Sequence, residues 1–436
     1  MKKYMAAAVA LMLFVFWGGA RAEALSRGDI AAETAVLMDF ETGQILFDKG
    51  MNRRVFPAST TKIMTCLLAV ENSRPDEIIA VSETAVFSIT EPLSSHIALT
   101  PGEELPMDDA LFALMMPSAN DAANVIAEHI AGSLEAFTDL MNAKAAEIGA
   151  VNTNFANAHG LHDPMHYTTA RDMARITRHA AENPMFMRYF GADLHTMAAT
   201  NLQSEERYFT NYQYMLVPGT RFYNEAVTGG KVGYTHPARH TMSTVAEKDG
   251  RTLIAIVMGS GRDEKFTDTK KLLDFGFEQF TRHVIHSDEL GSYTVPLTED
   301  GETVGAVRLY AASGMPYLLH NSLAPSDVST DAALPLSYGV SEKIAAAVNI
   351  TADCELEAVP SALASMPLTS EIELDAVPAL VSVVINERTP ADHTLELVLG
   401  ISAVVLLAAF LAMARLRRYR RRKARLARIG RGRPML

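Results

Sequence analysis

The stretch Pro57-Ala58-Ser59-Thr60-Thr61-Lys62-Ile63-Met64-Thr65-Cys66 constrains this chain more than any other. It sets a hydroxyl three residues before an amine, at the head of an apolar run of Ile63, Met64, Cys66, Leu67, Leu68 and Val70. That run predicts a buried helix, and residues three apart on a helix share a face. Ser59 and Lys62 are therefore expected side by side at a helix N-terminus. A serine hydroxyl is a weak nucleophile until a neighbouring base, such as a neutral amine, takes its proton. A helix start also offers unpaired N–H groups where negative charge develops in acyl transfer. The four-residue pattern is short, so its weight depends on the rest of the chain.

The two ends read as traffic signals. Lys2 and Lys3 precede an apolar segment, 5–17, and Ala20-Arg21-Ala22 offers small residues for cleavage. Residues 1–22 are thus expected to be an export signal, with the mature chain starting at Glu23. Residues 397–414 are almost unbroken apolar, with Glu396 just before them, and a bilayer-spanning helix is expected over 395–414. The Arg-rich tail, 415–436, then predicts a cytoplasmic end and an exported bulk, held at the outer face of a cytoplasmic membrane. The formal charge of −12 includes that basic tail, so the exported part is more acidic still. Such a surface argues against nucleic acid as a partner.

Between these ends the patterns alternate. Residues 35–40 and 45–47 flank a Gly turn and read as a hairpin. Helices follow at 59–70, 107–114, 120–130, 134–148 and 169–180, with a strand at 78–81, an irregular loop over 83–100 and another over 151–167. Three antiparallel strands are expected at 227–234, 242–246 and 252–258, the last two joined at Lys248-Asp249-Gly250, and a helix over 266–280. The fold class is α+β, an antiparallel sheet flanked by helices with an all-helical lobe, spanning 23–284. Residues 285–390 change to short strands (292–296, 304–310, 371–374 and 381–385) and read as a smaller β-rich domain. Cys66 and Cys354, the two cysteines, fall in apparently different domains and are expected free. No zinc-type Cys spacing occurs, and His159, His162, His166, His236 and His240 read as solvated or loop-packing side chains. No metal or cofactor is therefore expected. Gly259-Ser260-Gly261 lacks the spacing of a hydrolase elbow.

Ser59/Lys62, Ser118/Asn120 and Lys231/Gly233 occur in that order at domain-scale separations, with the spacing of the S-x-x-K, S-D-N and K-T-G marks of serine β-lactamases and penicillin-binding proteins. The chain resembles the low-molecular-mass D-alanyl-D-alanine carboxypeptidases within that group. Residues 54–62, Ser118-Ala119-Asn120-Asp121-Ala122-Ala123, His159-Gly160-Leu161 with Tyr167 and Ala170-Arg171-Asp172, and 271–277 carry the likeness over 34–280.

The resemblance implies a serine β-lactamase/transpeptidase-like fold and removal of the terminal D-Ala from peptidoglycan stem peptides ending in D-Ala-D-Ala. In it Ser59 is the nucleophile, Lys62 the base and Ser118 the proton relay, and β-lactam antibiotics are covalent inhibitors. Asn120, Lys231, Gly233, Tyr234 (by its backbone N–H, with that of Ser59), His159 and Lys265 would bind substrate. Two departures stand out. Val232 sits where the family usually has a hydroxyl toward the substrate carboxylate, and Lys265, with Arg262 as a shifted substitute, stands where an Arg is common. One lost hydrogen bond to a charged group costs about 1.5–3 kcal/mol, which predicts a weakened or altered carboxypeptidase. The alternatives are a penicillin-binding sensor or scaffold with little turnover, or a β-lactamase. No Glu-x-x-Leu-Asn stretch supports the last.

Overall fold

A computed structural model describes residues 25–374, apart from 92, 333, 343, 353 and 355. The expected export signal (1–22), the strand at 381–385, the membrane span (395–414) and the basic tail (415–436) lie outside the described residues. Among the described residues no helix is long and apolar enough to cross a membrane. The chain forms two compact units, one running to Arg282 and taking back Leu318–Asp327 and Ala352–Leu363, the other made from the intervening and later segments.

The first unit is built on a five-stranded antiparallel sheet of β1 (Thr34–Asp39), β2 (Ile45–Lys49), β3 (Val227–Thr235), β4 (Arg239–Lys248) and β5 (Arg251–Ser260). Its order is β2-β1-β5-β4-β3, which leaves β3 on an edge. The β1–β2 turn is locked by Asp39, whose Oδ1 accepts from the Thr42 N–H (2.8 Å) and hydroxyl (2.7 Å). β1 and most of β5 are buried on both faces, and period-two alternation divides their side chains. Val36, Met38, Ile254, Ile256 and Met258 join the core of the helical lobe. Ala35, Leu37, Leu253, Ala255 and Val257 join the core beneath a C-terminal helix.

The helical lobe holds α1 (Lys62–Asn72), α2 (Met107–Met115), α3 (Asn120–Ala131), α4 (Leu134–Ile148), α5 (Ala170–Ala181) and α6 (Pro184–Phe190); α7 (Glu264–Gln279) covers the opposite sheet face. α1 is buried around most of its circumference, which makes it the central post of the lobe. Side-chain caps start α4 (Ser133 Oγ from Ala136 N) and α5 (Thr169 Oγ1 from Asp172 N).

The sequence-predicted elements appear with small changes of boundary. Among the pieces not expected are a strand, Glu104–Pro106, paired with Ile78–Ala80; a short helix, Glu83–Phe87, inside the 83–100 loop; α6; and a hairpin of Leu194–Met197 with Arg207–Thr210. The last two lack a clear apolar period, and the hairpin is fastened instead by the buried Glu103, which accepts from Arg207 (2.8 and 3.2 Å) and Thr200 (2.8 Å). Cys354 packs on the core of the first unit, so both cysteines belong to that unit, and both are free.

The second unit contains a four-stranded sheet in the order Tyr338–Gly339, Ser292–Glu299, Glu302–Tyr310, Thr369–Leu374. Val295, Leu297, Val307 and Leu309 alternate inward to form its core with Tyr338 and Val340.

Candidate active site

Ser59 lies on a 3-10 turn, Ala58–Thr61, that leads into α1. The expected first turn of an α-helix is thus wound more tightly, and in a 3-10 turn residues i and i+3 eclipse. The bond between Ser59 and Lys62 gains from that geometry. Ala58 takes the left-handed backbone conformation (φ 49°), which costs energy for any residue with a Cβ. The turn is fixed by the Pro57 carbonyl, which accepts from the hydroxyls of Thr60 (2.7 Å) and Thr241 (2.8 Å). Gly160 allows the opposing loop to touch this turn, since a Cβ there would fall 2.0 Å from the Ala58 carbonyl oxygen.

Lys62 is fully buried. Its Nζ lies 3.1 Å from Ser59 Oγ, 2.6 Å from Asn120 Oδ1 and 2.5 Å from the His159 carbonyl oxygen. Burial drives its pKa well below the usual lysine range, the nearby Lys231 pushes the same way, and Asp121 opposes them. A neutral amine has two N–H donors and one lone pair. The carbonyl oxygens of Asn120 and His159 can only accept, so they take the two N–H groups and leave the lone pair for the Ser59 hydroxyl. Lys62 is therefore oriented as an acceptor of the nucleophile's proton.

Ser118 sits in the αL region (φ 65°) between α2 and α3. It is buried, and its Oγ has no hydrogen-bond partner among the described residues. Asn120 opens α3 and is fixed by its backbone N–H to the Ser95 carbonyl (2.8 Å). The buried Asp121 carboxylate accepts from the N–H groups of Ile97 (3.1 Å), Leu99 (3.0 Å) and Ala122 (3.0 Å), which holds the loop carrying Ser94 and Ser95 at the cleft.

Lys231 and Gly233 lie on the edge strand β3, paired with Ser243 and Thr241 of β4. Lys231 is buried, and burial lowers its pKa to about 7. At Gly233 a Cβ would come within 2.6 Å of the Ser59 backbone nitrogen and of Thr241 Oγ1. Only a residue without a side chain lets β3 run this close to the nucleophile.

Ser59, Ser118, Asn120, Val232, Gly233 and Lys265 line one cleft of about 1160 Å³. These residues come from the lobe, the sheet edge and the start of α7, and the fold brings them to one cleft.

The sequence profile described as D-alanyl-D-alanine carboxypeptidase matches residues 20–262. The chain belongs to the D-alanyl-D-alanine carboxypeptidase family. It is 33% identical over 259 residues to D-alanyl-D-alanine carboxypeptidase DacF of Bacillus subtilis (strain 168), covering 58% of this chain and 64% of that relative. The chain thus spans less than two thirds of that relative's length. A mutant of Streptomyces K15 DD-transpeptidase matches with a TM-score of 0.53 and 26% identity, over 57% of this chain and 98% of that one. D-alanyl-D-alanine carboxypeptidase DacD from Francisella tularensis shares the fold, with a TM-score of 0.58 and 22% identity over 83% of this chain and all of that one.

Within this carboxypeptidase-family site three sequence-predicted positions have particular surroundings. His159 reaches the centre through its carbonyl, while its ring Nδ1 accepts from Leu161 N–H (3.1 Å). The ring is neutral, its pKa pulled well below the ordinary value by burial and then by Lys62. Tyr234 exposes its side chain, which tilts over His240 at 4.6 Å. Lys265 Nζ donates to the Arg262 carbonyl and lies 4.1 Å from the centre of the Phe266 ring; burial lowers its pKa to about 8. His162, exposed, meets Phe56 edge-on at 4.6 Å, while His166 is buried. Sequence reasoning missed Asp121 as the anchor of the cleft loop. Its signal was an acid in the first turn of a helix whose first eight residues are buried. It also missed the aromatic wall of Tyr214, Phe222 and Phe266, which no periodicity marks.

Proposed function

We propose that this chain is a serine-type D-alanyl-D-alanine carboxypeptidase acting on peptidoglycan stem peptides. Ser59 Oγ attacks the carbonyl of the terminal peptide bond as its proton passes to Lys62 Nζ. The backbone N–H groups of Ser59 and Tyr234 receive the oxyanion. The C–N bond then breaks, the proton returns to the leaving amine through Ser118, and water hydrolyses the acyl-enzyme. Lys231 and Lys265 supply positive charge for the terminal carboxylate, and Asn120 holds the substrate amide. β-Lactams acylate the same hydroxyl. On this reading the enzyme is exported and tethered by 395–414 to the outer face of the cytoplasmic membrane.

One observation carries the reading: a fully buried lysine whose two N–H groups are claimed by carbonyl oxygens, leaving its lone pair to a serine hydroxyl 3.1 Å away. Release of the terminal D-Ala from a stem pentapeptide, assayed for the wild type and Ser59→Ala, tests it. Loss of release by at least about a thousandfold is expected, together with loss of fluorescent-penicillin labelling. Retention of either activity by Ser59→Ala would remove Ser59 from the chemistry.

A further inference from the structure

Beyond Gly233 the cleft opens into an aromatic recess that an alanine methyl does not need. Phe222 and Phe266 stack with centroids 4.4 Å apart, and Tyr214 stacks on the other partner, Phe266, at 5.7 Å. Phe222 and Val232, both half-buried, pack against the same apolar cluster, to which Phe266 belongs. Cations rim the recess: Lys265 lies over the Phe266 ring, and the Arg221 guanidinium lies 4.5 Å from the centre of Phe222. All of these groups face the cleft that holds Ser59.

We propose that this recess receives the side chain of the residue that leaves, and that the preferred leaving group is a D-amino acid with a bulky apolar or aromatic side chain rather than D-alanine. The inference rests on the acyl-transfer reading above. With the terminal carboxylate drawn to Lys231 and Lys265, the leaving residue's Cα lies between β3 and the start of α7. Its side chain then meets Val232 and Phe222. Val232 explains itself in this light. A hydroxyl at that position would strengthen the hold on the carboxylate, but an isopropyl group adds apolar surface to the cleft that Phe222 also lines. Each methylene accommodated in an apolar pocket is worth roughly 10- to 200-fold in kcat/KM, enough to outweigh one weakened carboxylate contact.

The test uses the full chain and diacetyl-Lys-D-Ala-D-Xaa peptides with Xaa as Ala, Leu or Phe, reading kcat/KM from the amino acid released. D-Leu or D-Phe should be released at least about tenfold more efficiently than D-Ala. Phe222→Ala, checked for folding by thermal melt, should narrow that ratio to about threefold or less. Release of D-Ala as efficiently as D-Leu and D-Phe overturns the inference alone, as does a preference that survives Phe222→Ala. If no peptide is cleaved and penicillin does not label Ser59, the acyl-transfer reading falls and the inference with it.

Discussion

Lys62 and Lys231 are two buried amines in one site, and the proposed chemistry asks opposite things of them. Lys62 must be neutral to accept a proton, whereas Lys231 must be charged to attract a carboxylate. Their burial lowers both, and their mutual repulsion falls on Lys62. The free enzyme is competent where Lys62 has lost its proton and Lys231 keeps one. Since Lys231 deprotonates near pH 7 and Lys265 near pH 8, kcat/KM should fall as pH rises through about 7 to 8. A bound carboxylate favours the charged amines, so kcat, which reports the loaded enzyme, should hold to higher pH. Paired pH profiles check this. A kcat/KM that climbs without an alkaline limb up to pH 9 would contradict the placement of either cation at the carboxylate.

His166 joins the loop over 151–167 to the 3-10 turn that carries Ser59. Its Nδ1 accepts from Ala156 N–H (3.0 Å), so the proton sits on Nε2, which donates to Thr61 Oγ1 (2.7 Å). Protonating Nδ1 would set two N–H groups face to face. Burial, helped by Lys62 and His162 against Asp163, accordingly lowers the His166 pKa to about 4. The sign follows from proton counts. Between its ordinary value near 6.5 and about 4, the unfolded chain binds a proton that the folded chain refuses. Stability therefore falls as pH drops through that window and levels off below it. The loss is about 3 kcal/mol. Because the same loop supplies the His159 carbonyl to Lys62, activity should decline alongside. Denaturant melts from pH 7 to 4 measure the slope. His166→Gln, which keeps an acceptor and a donor but cannot titrate, should flatten it, and an unchanged slope would assign the acid sensitivity elsewhere.

At the scale of the molecule, the first unit is not closed at residue 282. Leu318–Asp327 and Ala352–Leu363 return to it. The side-chain amide of the buried Gln44 exchanges two hydrogen bonds with the Leu318 backbone (2.7 Å each), and Asp48 N–H donates to the Ala358 carbonyl (2.8 Å). Leu318, Ala358 and Val359 also fill the core under α7. A chain ending at 282 loses these hydrogen bonds, at about 0.5–1.5 kcal/mol net each, together with the apolar burial of Leu318, Ala358 and Val359. Compared with residues 25–374, residues 25–282 should melt at least about 5 °C lower. Equal melting temperatures would mean that the returning segments add nothing.

The sequence by itself determined the main strands and helices of the first unit, because apolar periodicity is local, but not α6 or the Leu194–Met197 hairpin, which lack one. It also singled out the Ser59, Lys62, Ser118, Asn120 and Lys231 group as the candidate site, because short motifs are legible from residue type and spacing alone. Tertiary structure decided the rest. Whether Lys62 is a base depends on which carbonyls claim its N–H groups, and these come from residues 58 and 97 positions further along the chain. The closeness of β3 to the nucleophile depends on what a missing Cβ would strike. The aromatic recess assembles from segments with no shared period, and the first unit recruits Leu318 and Ala358 across long stretches of chain. Each of these is a long-range contact, and residue spacing encodes only the short-range ones.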